Sequence, residues 1–331
     1  MSNTALFAVL IAGLIGLAFL FGGPPDGNEV SFAFKNLPDL PRGFVYQAWV
    51  LDDLDGLVSL GRFRQIGNAK NFSYFGELYR QQKFLISLET GDPDGVGDLN
   101  EESPDLILFA GNINPLKDIV HLSLIAPDLE TPSGATFMLR TPTDDGIHAS
   151  SKLKDGVEAN DFNDDQGIWF VTFEGEAGEF TPTTGLDLPR IPTENFTYEG
   201  WVIHNRSETY VTTGRFIDPS LPDRNSGQSI YDGGRVYLGP MIPGEDFVNP
   251  GIATGNLELP LSLNEGWRTS ISIEPNSDDV EMPFVLVPWS TPIHFGDTCF
   301  AGTITNQPNP NEYQKQKCII EPQYDGVAVI H

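Results

Sequence analysis

Histidine, cysteine and basic side chains are scarce in this 331-residue chain, and each scarcity removes a class of function. The five histidines, His121, His148, His204, His294 and His331, include no i, i+4 pair and no glutamate at metalloprotease spacing. Only Cys299 and Cys318 are present, and neither has a second Cys or a His at ligand spacing. Nineteen Lys and Arg stand against 46 Asp and Glu, a formal charge of −27. Phosphate binding needs basic side chains, so nucleic acid is excluded as a partner and anionic lipid is a poor surface for the polar part. There is no Gly-x-Ser-x-Gly elbow, no phosphate-cradling glycine loop and no haem-attachment motif. Paired carboxylates abound, but 46 acids produce such pairs by number alone. Neither a cofactor nor a catalytic centre is expected.

Turn formers and apolar residues are plentiful. The chain has 34 glycines, 26 prolines, 40% hydrophobic and 11% aromatic residues. That is too apolar for a disordered chain and too rich in turn formers for a helical bundle. Runs of five to eight strand-forming residues between Gly, Pro, Asn and Asp clusters predict an all-β protein.

Ala5 to Phe21 is an uninterrupted apolar run, ALFAVLIAGLIGLAFLF. Seventeen helical residues span roughly 25 Å, and the uncharged flanks extend this to about the thickness of a hydrocarbon core. A cleaved secretory leader and a retained anchor are the two readings. No basic residue precedes the run, and cleavage after Gly22 or Gly23 would place Leu20 at −3 or Pro24 at +1, which favours the anchor. Thr4, Ala8, Ala12 and Gly16 recur every four residues, a small-residue face on which another transmembrane helix could dock. Asp26 and Glu29 after the run place the bulk of the chain outside the cytoplasm, in the periplasm of a bacterial inner membrane. A Cys299–Cys318 disulfide fits that compartment and would stabilise by about 3 kcal/mol.

Sliding the chain against itself reveals a repeat. Phe44 to Leu51 (FVYQAWVL) matches Phe196 to Ile203 (FTYEGWVI) at an offset of 152, and Gly61-Arg62-Phe63 matches Gly214-Arg215-Phe216 at 153. Val30 to Phe34 and Ile168 to Phe173 precede the matched strands, as do Leu40-Pro41-Arg42 and Leu188-Pro189-Arg190. Val120 to Pro127 is paired with Thr269 to Pro275. The expected organisation is an anchor over 1–27, β-sandwich domains over 28–145 and 146–292, and a disulfide-closed extension over 293–331 packed on the second domain. In FVYQAWVL both alternating faces are apolar, which predicts a central strand buried on both sides. Tyr46, Trp49, Gly61 and Phe63 are the expected core anchors of the first domain, and Tyr198, Trp201, Gly214 and Phe216 those of the second.

These residues carry a family resemblance. Val30-Ser-Phe-Ala-Phe-Lys-Asn-Leu-Pro, Tyr46-x-x-Trp49, Gly61-x-Phe63 and a strand ending in Pro resemble the extracytoplasmic carboxy-terminal domain of bacterial anti-sigma factors. Tyr198, Trp201, Gly214, Phe216 and Ile273-Glu274-Pro275 repeat the pattern, so the resemblance covers roughly 30–141 and 167–292. Its motifs are packing motifs. An anti-sigma factor also needs a cytoplasmic sigma-binding domain before its span. Only Met1 to Thr4 precede the run here, so sigma sequestration is not expected.

Acidic loops offer one further site. Asp92, Asp94 and Asp98 present hard oxygen ligands among glycines, a weak calcium candidate whose spacing departs from the twelve-residue loop. Asp161, Asn163 and Asp165 have nearer spacing but lack the glycine and the late glutamate. Asn71, Asn195 and Asn205 sit in Asn-x-Ser/Thr sequons. The expected function is that of a non-catalytic accessory subunit of a bacterial membrane complex of photosynthetic or respiratory type, its helix against lipid and neighbouring spans. The alternatives are an adhesion or ligand-binding module, using aromatics such as Tyr231, Tyr237 and Trp289, and a sensor remnant of an anti-sigma system.

Overall fold

The computed structural model describes residues 28–52, 56–64, 69–76, 82–91, 103–139, 167–174, 181–224, 266–293 and 318–331, save 115, 193 and 279. It also describes 78, 143–144, 236–237, 242–244 and 263. The expected transmembrane helix, with Thr4, Ala8, Ala12 and Gly16, and the calcium candidates Asp92, Asp94 and Asp98 lie outside the described residues.

All regular structure among the described residues is β. The first strands are β1 (Asn28–Lys35), β2 (Phe44–Asp52), β3 (Gly56–Phe63), β4 (Lys70–Tyr74), β5 (Lys83–Thr90), β6 (Leu106–Asn112) and β7 (Ile119–Leu124). Next come β8 (Gly134–Phe137), β9 (Thr143–Asp144), β10 (Val171–Glu174), β11 (Thr181–Thr184), β12 (Leu186–Asp187), β13 (Phe196–His204) and β14 (Thr209–Phe216). The chain ends with β15 (Val236–Tyr237), β16 (Trp267–Pro275), β17 (Trp289–Pro292), β18 (Cys318–Ile320) and β19 (Asp325–Ile330). Two compact units result, Met1–Ser133 with Tyr324–His331, and Gly134–Gln323.

In the first unit one antiparallel sheet runs β3-β2-β5-β6-β7-β19-β1-β4 and rolls nearly shut. Its interior is aromatic. Phe32 packs edge-on against Phe84 at 5.4 Å and Phe72 at 5.9 Å, Phe34 meets Phe63 and Phe109, and Tyr46 meets Phe63 at 5.3 Å. Six strands therefore contribute rings to one core, each adding more than its area alone. Outside, Trp49, Leu85, Ala110 and Ile125 form a second cluster, joined by Leu51, Leu57, Ile107 and Leu129. Together they explain why Val45 to Val50 are all buried: β2 has a packed layer on each face.

The outer strands β3 and β4 approach each other at Gly61. Gly61 has φ 149°, and a Cβ there would lie 2.6 Å from the Phe72 ring. A bulge between Ala48 and Trp49 turns β2 against β3 at this point.

The second unit holds a four-stranded sheet, β14-β13-β16-β17, a three-stranded sheet, β12-β8-β18, and the pairs β10–β11 and β15–β9. Its four-stranded sheet repeats β3-β2-β5-β6, including the bulge, here between Gly200 and Trp201.

The structure corrects several sequence equivalences. Thr269 to Pro275 lies in β16, which pairs with β13; its counterpart is β5, which pairs with β2, and not Val120 to Pro127. Tyr46 Oη donates to Pro38 O at 3.0 Å and Tyr198 Oη to Pro189 O at 2.5 Å, so Leu188-Pro189 corresponds to Leu37-Pro38 and not to Leu40-Pro41. Val30 to Phe34 pairs with β19 and β4, whereas Val171–Glu174 pairs with β11, so these runs do not occupy the same place. The carboxy-terminal extension divides: β18 joins β8, but β19 enters the first unit between β1 and β7. Alternating Val327, Val329 and small residues fit an interior strand, and between β1 and β7 it pairs along both of its edges. The sheet that this strand completes replaces the separate layers expected for the first sandwich.

Gly61→Ala should destabilise the protein by about 3 kcal/mol or more, from positive-φ strain and overpacking on Phe72. Urea unfolding followed by near-UV circular dichroism would register it, and an unchanged midpoint would contradict the closure described here.

Candidate functional site

The most concentrated chemistry among the described residues is a buried polar relay built once in each four-stranded sheet. In the second unit Trp201 Nε1 donates to Ser272 Oγ at 2.8 Å, and Ser272 Oγ donates to Glu274 Oε1. The same carboxylate oxygen accepts from Phe284 N at 3.0 Å. In the first unit Trp49 Nε1 donates to Ser87 Oγ at 2.8 Å, Ser87 Oγ donates to Glu89, and Glu89 Oε2 accepts from Asp105 N at 3.0 Å. Each relay runs from β2 or β13 to the neighbouring β5 or β16 and then to the segment that follows, tying three stretches of chain through side chains. Strand register places the serine on β5 or β16 opposite Gln47 or Glu199, one diagonal step from the indole on β2 or β13, with the glutamate two residues on and on the same face.

A second polar cluster lies beside the bulge. Arg62 Nε donates to Gln47 Oε1 at 2.8 Å, and Gln47 Nε2 donates to Ser59 Oγ at 2.7 Å. At the equivalent place Arg215 Nε pairs with Glu199 Oε2 at 2.7 Å, and Thr212 Oγ1 donates to Glu199 Oε1 at 2.6 Å. A hydroxyl serves both versions because it accepts from the amide and donates to the carboxylate. Arg215 also donates through Nη2 to Asp278 O at 2.6 Å.

The second unit therefore buries two carboxylates where the first has one and an amide. Burial pushes Glu274 from the ordinary 4.5 up to about 7, against the opposing hydrogen bonds from Ser272 and Phe284; the charge of Glu199 adds to the rise. Burial also raises Glu199, opposed by Thr212 and Arg215. The phenols of Tyr46 and Tyr198 are raised well above their usual range, chiefly by burial.

Tyr46, Trp49 and Phe63 lie buried in the first unit, Tyr198, Trp201 and Phe216 in the second, with Tyr198 stacked on Phe216 at 5.5 Å. Gly61 and Gly214 (φ 118°) hold the two bulges. Trp289, read from sequence as an exposed contact aromatic, is instead fully buried at 0% exposure beside Tyr198. A tryptophan followed by β-strand pairing to Ser270 and Ile271 belongs to the sheet interior. Tyr231 is not among the described residues, nor is the side chain of Tyr237. Cys318 is disulfide-bonded; Cys299 lies outside the described residues. No three His, Cys, Asp or Glu side chains gather to hold a metal among the described residues. Nor do these contain a helix long and apolar enough to cross a membrane.

Sequence reasoning missed Ser87, Glu89, Ser272 and the role of Glu274. The signal was present: Ile86-Ser87-Leu88-Glu89 and Ile271-Ser272-Ile273-Glu274 share a spacing, but at an offset of 185 that a constant-offset comparison passes over. With this geometry in hand, comparison with known proteins finds no matching family model, curated protein or solved structure.

Trp201→Phe should cost about 2–4 kcal/mol, since it strips the donor from a buried serine and leaves a void. Trp49→Phe should do the same in the first unit; paired denaturation curves check both. Glu274 keeps its proton in the folded state up to about pH 7, whereas the unfolded chain releases it near 4.5. Its stabilising contribution is therefore complete below pH 4.5 and is lost as the pH climbs to 7, a change of about 3 kcal/mol. Glu274→Gln should remove that dependence, so the variant gains on the parent between pH 5 and pH 7.5. A constant difference in unfolding free energy across that range would contradict the assignment.

Proposed function

We propose that the chain is a non-catalytic, membrane-anchored accessory subunit of a bacterial membrane protein complex, of photosynthetic reaction-centre or respiratory type. In this reading Ala5–Phe21 spans the inner membrane and docks on neighbouring spans through Thr4, Ala8, Ala12 and Gly16. Two tandem β domains stand on the periplasmic side and cover the complex. The observation that carries the reading is the doubled relay. Among the described residues Glu89, Glu274, Glu199 and Arg215 have the chemistry to act on a substrate but are committed to holding strands together, and the Trp–Ser–Glu bonds are made in both units. A scaffold needs that rigidity, whereas a reacting group must be free to change partners. The resemblance to anti-sigma factors is carried by these packing residues and supports reuse of an outside module. The competing contact-aromatic reading loses Trp289 to the core.

Mild detergent extraction followed by native electrophoresis tests this. The chain should migrate with a complex several times its own 36.3 kDa, and Ala8→Leu with Gly16→Leu should release it. Migration alone after gentle solubilisation would overturn the reading.

A further inference from the structure

Two of the most exposed large apolar side chains, Phe75 at 80% and Leu116 at 75%, belong to loops of the first unit far apart in sequence. Strand register brings them to one end of its sheet. Asn28, where the chain enters β1, lies opposite Tyr74, and Asn28 Nδ2 donates to Gly76 O at 2.9 Å. Phe75 thus projects beside the point of chain entry. β19 ends at this same edge, with Ile330 opposite Val30 and His331 N donating to Glu29 O at 2.9 Å. β7 begins there, with Ile119 opposite Val329 and Asp118 O accepting from Ile330 N at 2.8 Å. Leu116 stands in the turn that leads into β7. That turn is fixed by Asn114, whose Oδ1 accepts from Leu116 N at 3.1 Å and whose carbonyl accepts from Lys117 N at 2.8 Å. Along the order β7-β19-β1-β4, Leu116 and Phe75 therefore cap the outer two strands of an edge roughly 14 Å wide.

Chain length states what lies near that edge. The six residues Gly22 to Gly27 separate Phe21 from Asn28, and fully extended the connection reaches about 24 Å. If Ala5–Phe21 crosses the bilayer, Asn28 and the Tyr74–Gly76 segment bonded to it cannot lie further than that from the hydrocarbon boundary. The headgroup layer occupies about 6 Å of the distance. The neighbouring charges, Glu29, Lys117 and Asp118, are mixed in sign, and the chain as a whole is strongly acidic. Attraction to anionic headgroups is therefore not the force; insertion of apolar side chains is.

We propose that Phe75 and Leu116 form a lipid-facing foot that seats the amino-terminal end of the first unit in the interfacial layer of a zwitterionic bilayer. The proposal rests on the membrane-span reading of Ala5–Phe21 and adds a second contact with the same membrane. It fixes which end of the first unit meets lipid, with the β1–β2 connection and Arg42 at the far end of the sheet.

Full-length Phe75→Cys, Leu116→Cys and, as the distant control, Arg42→Cys variants test it. Each carries a nitroxide label attached without reductant, and each is reconstituted into phosphatidylcholine vesicles. Flotation is measured first, then collision of each label with oxygen, which concentrates in lipid, and with a water-soluble nickel chelate. The expected result is flotation of all three, with an oxygen-to-nickel ratio several-fold higher at positions 75 and 116 than at 42, little changed by salt. Flotation with equal ratios at all three positions would overturn the foot and leave the anchor standing. Failure to float would overturn both. Spin–spin broadening between labels at position 75 of different copies would assign this end to a second chain and overturn the lipid contact.

Discussion

A buried indole N–H held by a serine on the neighbouring strand organises both halves of this protein. Trp49 and Trp201 sit on strands paired on both sides, sealed from water, and an unpaired donor there would cost about 1–3 kcal/mol. A serine on the adjacent strand supplies the acceptor, but its own hydroxyl proton then needs a destination. Glu89 or Glu274 provides it, and the carboxylate is in turn closed by a backbone N–H. Each bond creates the need for the next. The chain therefore fixes strand register, side-chain rotamers and the entry of the following segment together, with specificity that apolar packing alone does not give.

The two copies of this arrangement show what the duplicated framework tolerates. Gln47 and Glu199 occupy equivalent places, both beside an arginine and a hydroxyl, yet one is neutral and the other charged. The backbone bulge is common to both. Geometry is kept while electrostatics diverge, so in the second sheet the charge of Glu199 adds to the rise of the buried Glu274, whereas the first sheet has the neutral Gln47 in that place. Divergence of that kind leaves the framework rigid and alters only how it responds to its medium.

The all-β class was readable from turn-former density, and β2 and β13 were readable from their aromatic, doubly apolar strands. Tyr46, Trp49 and Phe63 stood out because large rings at matching offsets seldom recur by chance. Ser87 and Glu89 did not, because small polar residues carry little signal and connections of unequal length shift their offset. The nearly closed sheet was hidden for a different reason. Its completion depends on β19, six residues of ordinary strand composition whose partners β1 and β7 lie roughly 300 and 200 positions away. Local pattern sets the tendency to form a strand, and only tertiary competition decides which edge it joins. Trp289 was misplaced because its burial depends on pairing with β16 and contact with Tyr198, neither of which is visible in its own neighbourhood.

That last strand has a bearing on how the protein is made. Residues 28–133 emerge first from the ribosome, but the gap between β1 and β7 is filled only by Asp325–Ile330. Until Asp325–Ile330 is made, β1 and β7 each keep an edge without this partner. Maturation is thus inverted relative to synthesis: the part born first is finished last. A chain cut before Asp325 would leave β1 and β7, far upstream, with exposed strand edges open to wrong partners.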